Sequence, residues 1–569
     1  MTKMIPVSAT ERPSTHLGWS ASTSLGDAIM QMLVAEGVKF LSCYPTTPLI
    51  EAAARNELRT IVCRQERVGV GIADGYTRLT RGNPPGVFAM QWGPGVENAY
   101  SGIATAYSDA SPVLILPLGY PDDRLDASRF YQASHLRSVA KSVERIRHAG
   151  DVGAVMRRAF SRLRNGRGGP VVVEVPSHLV NEAIGSPGEY SPPVPARSAG
   201  DPSAITAAAA RLLGSRRPVI IAGQGVLYSD ASRQLVALAE FLDAPVATTL
   251  QGKSAFPESH PLSLGSGGLT VPGGLRAFVR AADVVLGVGT SFTAHPIAVN
   301  PLPMPAADGA CIIHVTIDDG DFDKDVRADC PILGDAGLVL AGLLAEVSAM
   351  NGGAARRLGT ASEVAASRAA WLKTWSPYLQ SDEVPINPYR VVGALSEVLD
   401  PAASVITHDS GSARGQMTPF IRTDTPGGYL GWGKSHGLGT GLGLIIGAKL
   451  ARPEAVCVNV MGDAAFGMVG LDFETAVRNT IPITTVVLNN GTMAIESESM
   501  ATSHERFRSR DIGGNYADLA AAMGGWSVRV ERPGDLEAAL RGAIAANADG
   551  RPALVDVVTT PVRTPFSRE

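Results

Sequence analysis

Asp463 stands at the end of the apolar run AVCVNVMG, and the next apolar run, ITTVVLNN, closes on Asn489 and Asn490. A carboxylate, an amide oxygen and a nearby main-chain carbonyl form a sparse set of hard oxygen donors. Magnesium, which keeps several waters and shares its shell with phosphate oxygens, suits such a set better than zinc does. Gly462 precedes the acid, and Ala464 and Ala465 follow it. Backbone N–H groups at the start of a helix there are able to approach a diphosphate. Each feature also has a plain structural reading, since an aspartate after a strand caps helices and Asn-Asn-Gly makes turns. The pair in this order is the more specific signal.

If Asp463 and Asn490 end neighbouring parallel strands, both lie at the carboxyl edge of a sheet, where open α/β folds bind ligands. The rest of the sequence fits such a sheet, because short apolar runs alternate with amphipathic segments as in parallel α/β domains. A first block over 21–184 carries FLSCYP, IVCRQ, GVFAMQ, PVLILPL and VVVEVP; residues 1–20 before it read as a loose arm. The Pro-rich stretch 185–203 reads as a linker. A second block over 204–350 holds RPVIIAGQGV, ADVVLGVGTSF and CIIHVTID, a second linker covers 351–380, and a third block over 381–569 carries the Asp463 motif. Three α/β units of similar size follow, as expected for 569 residues. Hydrophobic residues at 45 % and charged residues at 18 % describe a globular chain, and a net charge of −4 supplies no basic field for nucleic acid. Cys43, Cys63, Cys311, Cys330 and Cys457 form no CxxC pair, which favours reduced thiols in a cytoplasmic protein over disulfides or zinc. No apolar run reaches membrane-spanning length, and the first twenty residues lack the apolar stretch of a signal peptide.

The segment GDAAFGMVGLDFETAVRNTIPITTVVLNN resembles the metal motif of the thiamine diphosphate enzymes of the acetolactate synthase and 2-hydroxyacyl-CoA lyase type. Ala464 departs from the glycine usual after the aspartate, without removing a ligand. The resemblance implies that Asp463, the Asn490 side chain and the main-chain oxygen of Thr492 hold magnesium. It also covers RQERVGVGIADGYTRLTRGNPPGVF, where it assigns Glu66 as the acid that hydrogen-bonds the aminopyrimidine ring of the cofactor in a partner subunit, and MQWGPGVENAYSGIATAYSDASPVLIL. A glutamate in a first helical turn is otherwise an ordinary partner of the helix dipole. By the same matching, SHGLGTGLG puts Leu438 beneath the cofactor, and DSGSARG offers Gly411 and Ser412 to the diphosphate. The implied fold is three doubly wound parallel-sheet domains, pyrimidine-binding, central and diphosphate-binding, in a homodimer or homotetramer with the active site between subunits.

After Asn490 the sequence GTMAIESESMATSHERF resembles the short helix of actinobacterial-type 2-hydroxyacyl-CoA lyases. There the matching residue, Glu496, takes the proton of the substrate hydroxyl and returns it, as cleavage of an alkoxide adduct requires. Ile495, with Phe130 from the first block, would limit acyl size. The competing reading makes Glu496 and Glu498 a solvated face opposite Arg506, Arg508 and Arg510. In the central block the GQGV and GVGTSF turns are compatible with ADP or CoA, and less so with FAD; without a complete G-x-G-x-x-G they are weak support. The reading favoured by sequence is a lyase that joins or separates formyl-CoA and a ketone or aldehyde. The alternatives are an acetolactate synthase-like carboligase acting on 2-oxo acids and a non-catalytic cofactor-binding relative.

Overall fold

The computed structural model describes residues 17–121, 132–293, 305, 309–496 and 499–562. Three six-stranded sheets form the molecule, each wholly parallel. In the first, the strands run in the order Arg59–Val62, Phe40–Tyr44, Val87–Met90, Leu114–Gly119, Val171–Pro176, Ser142–Arg145. The apolar runs of the sequence become these strands because both faces of a parallel sheet are covered, so near-continuous Val, Ile and Leu is what it needs. Separate apolar cores lie on its two faces, one including Leu41 and Val173, the other Phe88 and Val172. The central sheet orders Ser263–Ser266, Val246–Thr248, Pro218–Ala222, Val284–Val288, Cys311–Thr316 and Cys330–Leu333. The expected doubly wound α/β architecture is therefore present three times.

In the third sheet we label β1 (Ser404–His408), β2 (Val456–Gly462) and β3 (Thr484–Asn489); the order is Tyr429–Leu430, β1, β2, β3, Ala553–Val558, Trp526–Val530. Three helices bear on the strand ends: α1 (Glu66–Thr80) of the first domain, α2 (Thr440–Ala451) and α3 (Asp463–Val469) of the third. Helices α1 and α2 cross in backbone contact. A Cβ on Gly75 would strike the Leu444 carbonyl oxygen, one on Gly447 would strike the Ile72 carbonyl oxygen, and Gly71 faces Gly443. Glycine is required at these positions because no other residue permits so close an approach. Around the crossing, Arg59 donates to the Asn479 carbonyl and Arg478 to the Val62 carbonyl, at 2.9 and 2.7 Å.

The segments expected to be an arm and linkers contain regular structure. Leu17–Trp19 pairs antiparallel with Gly188–Tyr190, and Thr360–Leu379 is a helix whose Trp371 stacks on Phe420. The polar, Ala-rich composition of 351–380 concealed this helix, which buries few of its residues. All five cysteines are free and buried. Among the described residues, no helix is long and apolar enough to cross a membrane.

Candidate active site

The carboxyl ends of β1, β2 and β3 lie side by side, since His408 pairs with Val460 and Gly462 with Leu488. Asp463 is the first residue of α3, directly after β2, and is 2 % exposed. One carboxylate oxygen accepts from Ala464 N–H at 2.8 Å, the other from Gly491 N–H at 2.7 Å. Burial holds its carboxyl above the ordinary carboxylate range, against the opposing pull of these N–H groups. No ion pair to a described residue balances its charge. An uncompensated buried carboxylate is costly, and a divalent cation is the group that would neutralise it.

The two asparagines have different tasks. Asn489 is tied down, its amide donating to the Gly514 carbonyl and to Asp556 at 3.0 and 2.9 Å. Asn490, half-buried, uses its side-chain oxygen to accept from Thr492 N–H at 3.0 Å, which leaves that oxygen a further lone pair. Thr492 is held by its hydroxyl, which donates to the Arg510 carbonyl, and by a bridge to Asp511. The described residues contain no cluster of three His, Cys, Asp or Glu side chains fit for a metal. The oxygen set of one carboxylate, one amide and one carbonyl fits magnesium, which needs few protein ligands when phosphate and water supply the rest.

Gly411, the N-cap of the short helix that follows β1, has φ 94°, and a Cβ there or on Gly462 would meet nothing within 4 Å, so the floor beyond these strand ends is open. Ser412 opens the short helix Ser412–Met417 beside it, while Ala465 packs into the core under α3 and Ala464 is half-buried. Leu438 is partly exposed, and its carbonyl accepts from Arg67 at 2.6 Å. The segment bearing it is fixed by a residue that sequence reasoning passed over, Asp409. Its two carboxylate oxygens accept from the N–H groups of Gly439 and Gly441 at 2.9 and 2.8 Å. Complete burial pushes Asp409 up to about 6, partly offset by these donors, and pushes the adjacent His408 down to about 3, with Arg414 adding to the effect. The sequence carried a signal for Asp409 in DSGSARG, where an acid again stands at a strand end, in that domain's first βα turn.

Glu66 begins α1 and is 2 % exposed. Burial raises its carboxyl above the ordinary range, opposed by its own backbone N–H and by the Asn98 amide. Neither of these partners belongs to the Asp463 cluster. Ile495 and Glu496 lie in a 3-10 turn, Ala494–Glu496, just beyond Thr492; Ile495 is half-buried and Glu496 exposed. Phe130 and Glu498 lie outside the described residues. In the central domain, Gly225, Gly289 and Thr290 from the two expected turns line a cavity of about 1130 Å³, together with Arg167, Asp321 and Lys434.

Three family models match in chain order: the thiamine pyrophosphate enzyme N-terminal TPP binding domain over 23–138, its central domain over 205–343, and its C-terminal TPP binding domain over 409–557. The probable acetolactate synthase large subunit of Methanocaldococcus jannaschii is 33 % identical over 559 residues, spanning 94 % of this chain and 92 % of its own. The chain belongs to the thiamine pyrophosphate enzyme family. A probable acetolactate synthase large subunit of Methanococcus aeolicus and the isozyme 3 large subunit of Escherichia coli are each 28 % identical, over 94 % and 93 % of this chain and 92 % and 94 % of theirs. All three relatives bear the acetolactate synthase name. The expected thiamine diphosphate chemistry therefore stands at family level, and between the two substrate readings these relatives favour the carboligase over the 2-hydroxyacyl-CoA lyase.

Proposed function

We propose that the protein is a thiamine diphosphate- and magnesium-dependent carboligase acting on 2-oxo acids, in the manner its relatives' names describe. The observation that carries this reading is likeness to acetolactate synthase large subunits along almost the whole length of both chains. It is supported by the buried, uncompensated Asp463 beside Asn490 at adjacent strand ends. What thiamine diphosphate supplies when bound is a nucleophilic carbon and an electron sink for the bond cleaved beside a carbonyl. Asp463, the Asn490 side chain and the Thr492 carbonyl hold the magnesium, Gly411 and Ser412 border the diphosphate, and Leu438 supports the rings. Glu66 would share a proton with the pyrimidine nitrogen, a task for which a buried carboxyl with a raised proton affinity is suited. The site is completed between two subunits of a homodimer or homotetramer, and the free thiols accord with a cytoplasmic setting.

One observation favours a second reading, the 2-hydroxyacyl-CoA lyase. Glu496 follows the metal-ligating segment directly and stands exposed, and Arg508 pairs with Asp511 at 2.5 Å rather than with Glu496. On this reading Glu496 would serve as the base for a substrate hydroxyl, and ADP or CoA in the central cavity would belong to it. Incubation with thiamine diphosphate, magnesium and pyruvate, beside formyl-CoA with ketones and aldehydes, separates the two. A 2-hydroxy-2-acyl acid and carbon dioxide from pyruvate alone support the carboligase. A new CoA thioester formed only with formyl-CoA replaces it with the lyase, and turnover in neither arm leaves a non-catalytic relative.

A further inference from the structure

Asp472 lies on the 3-10 turn Gly470–Asp472 that continues directly from α3, so it is joined through one short helix to Asp463. It is 1 % exposed. Its side chain does not serve the third domain alone. One carboxylate oxygen accepts from Arg64 N–H at 2.7 Å and from the Thr475 hydroxyl at 2.8 Å, and the nearby Gln65 N–H also pulls on the carboxylate. These two N–H groups immediately precede Glu66. Gln65 is the N-cap of α1, and its own side chain makes no capping bond. The turn that leads into α1 is thus held from the other end of the chain.

Two more ties from the third domain bracket the same point. The Arg64 guanidinium pairs with Glu474 at 3.1 Å, and Arg67 donates to the Leu438 carbonyl at 2.6 Å. Residues 64 and 67 are both held by the domain that carries the proposed metal ligands, and Glu66 sits between them. Burial makes Asp472 an expensive anchor, raising its carboxyl to about 6 against the pull of Arg64 N–H and Thr475. A neutral acceptor would meet the same N–H groups at less desolvation cost, so hydrogen bonding of this turn alone does not account for a carboxylate here.

We propose that Asp472 is a positioning residue for Glu66: it fixes the backbone on which the cofactor-activating carboxyl is carried and links that carboxyl's placement to the metal-binding helix. This rests on the reading of Glu66 as the acid that meets the pyrimidine nitrogen. A carboxyl that must meet a ring nitrogen at hydrogen-bond distance tolerates little displacement, since a misplacement of about 1 Å costs on the order of 100-fold.

The test uses the full-length protein in four forms: wild type, Asp472→Ala, Asp472→Asn and Glu66→Gln. In the apoprotein, amide hydrogen exchange of the peptide around 62–68 should quicken in Asp472→Ala. With thiamine diphosphate and magnesium saturating, exchange of the thiazolium proton should slow by about 10–100-fold, the usual loss when a supporting partner is removed. Cofactor affinity by calorimetry should stay within about threefold, because the magnesium ligands are intact. Asp472→Asn, which keeps an oxygen for Arg64 N–H, should fall between wild type and alanine on both exchange measurements. A wild-type thiazolium rate in Asp472→Ala overturns the proposal, as does a loss of affinity in proportion to rate, which marks a merely structural tie. If the alanine variant does not fold, a wild-type rate in Asp472→Asn overturns it alone. A wild-type rate in Glu66→Gln instead removes the reading of Glu66, a different failure.

Discussion

Asp463 is expensive where it stands, and on the proposed reading a bound cation offsets that cost. Asp463→Ala should weaken thiamine diphosphate binding by roughly 100-fold or more, since groups that merely orient a metal ligand are worth about 10–100-fold; calorimetric titration at fixed magnesium gives the number, and unchanged affinity would remove Asp463 from the site. The neighbouring pair His408 and Asp409 gives a pH prediction with opposed signs. His408 is pushed down to about 3 from an ordinary 6.5, so the unfolded chain takes up the proton first. Its stability is complete above pH 6.5 and is lost as pH falls towards 3, at about 1.4 kcal/mol per pH unit. Asp409 is pushed up to about 6 from 3.8, so the folded chain binds the proton more tightly and gains stability as pH falls from 6 towards 3.8. Between pH 6 and 4 the two slopes oppose each other. His408→Phe, which keeps a ring against Trp432, should therefore become more resistant to acid than wild type by about 2 kcal/mol between pH 6.5 and 5; urea midpoints across that range check it, and parallel curves would refute it. Residue types and spacing singled out Asp463 and Asn490 as candidates because an acid and an amide at neighbouring strand ends have their own pattern, whereas only the family resemblance pointed to Glu66. Asp409, signalled only as an acid at a strand end in DSGSARG, and Asp472 were passed over because their backbone N–H partners are brought near only by folding, in the case of Asp472 from more than half the chain away.

The strands were legible as apolar runs because a sheet covered on both faces demands them. The helices that matter most were less so. Gly71, Gly75, Gly443 and Gly447 lie inside α1 and α2, where their missing side chains let two backbones touch. That role depends on which helix faces which, and composition carries no record of it. A methyl group there must push the helices apart, so Gly75→Ala should destabilise the protein by about 1–3 kcal/mol, the usual range for overpacking, despite the better helix propensity of alanine. An exposed control such as Gly534→Ala, where a Cβ meets nothing within 4 Å, should lie within about 0.5 kcal/mol of wild type. Equal melting temperatures for wild type and Gly75→Ala would show that the crossing is looser than its geometry.

For the whole molecule, the proposed sharing of sites between subunits has a direct test. Glu66→Gln and Asp463→Ala damage opposite halves of a shared site, so each should be inactive alone. Mixed and allowed to exchange subunits in equal amounts, they should recover about a quarter of wild-type activity, since half the dimers become mixed and each of those carries one intact site. No recovery despite exchange would place the complete site within one chain. The glycine crossing of α1 and α2 bears on a different property, the meaning of chain continuity. Between the central domain and the helix Thr360–Leu379, the adjoining Gly352 and Gly353 are exposed and their Cα atoms face open space. A protease nick at that pair would divide the polypeptide into fragments of unequal length, yet the helix crossing, with Arg59 and Arg478 strapped across it, would still clasp the first domain to the third. The cut protein should elute as a single particle, two polypeptides acting as one body.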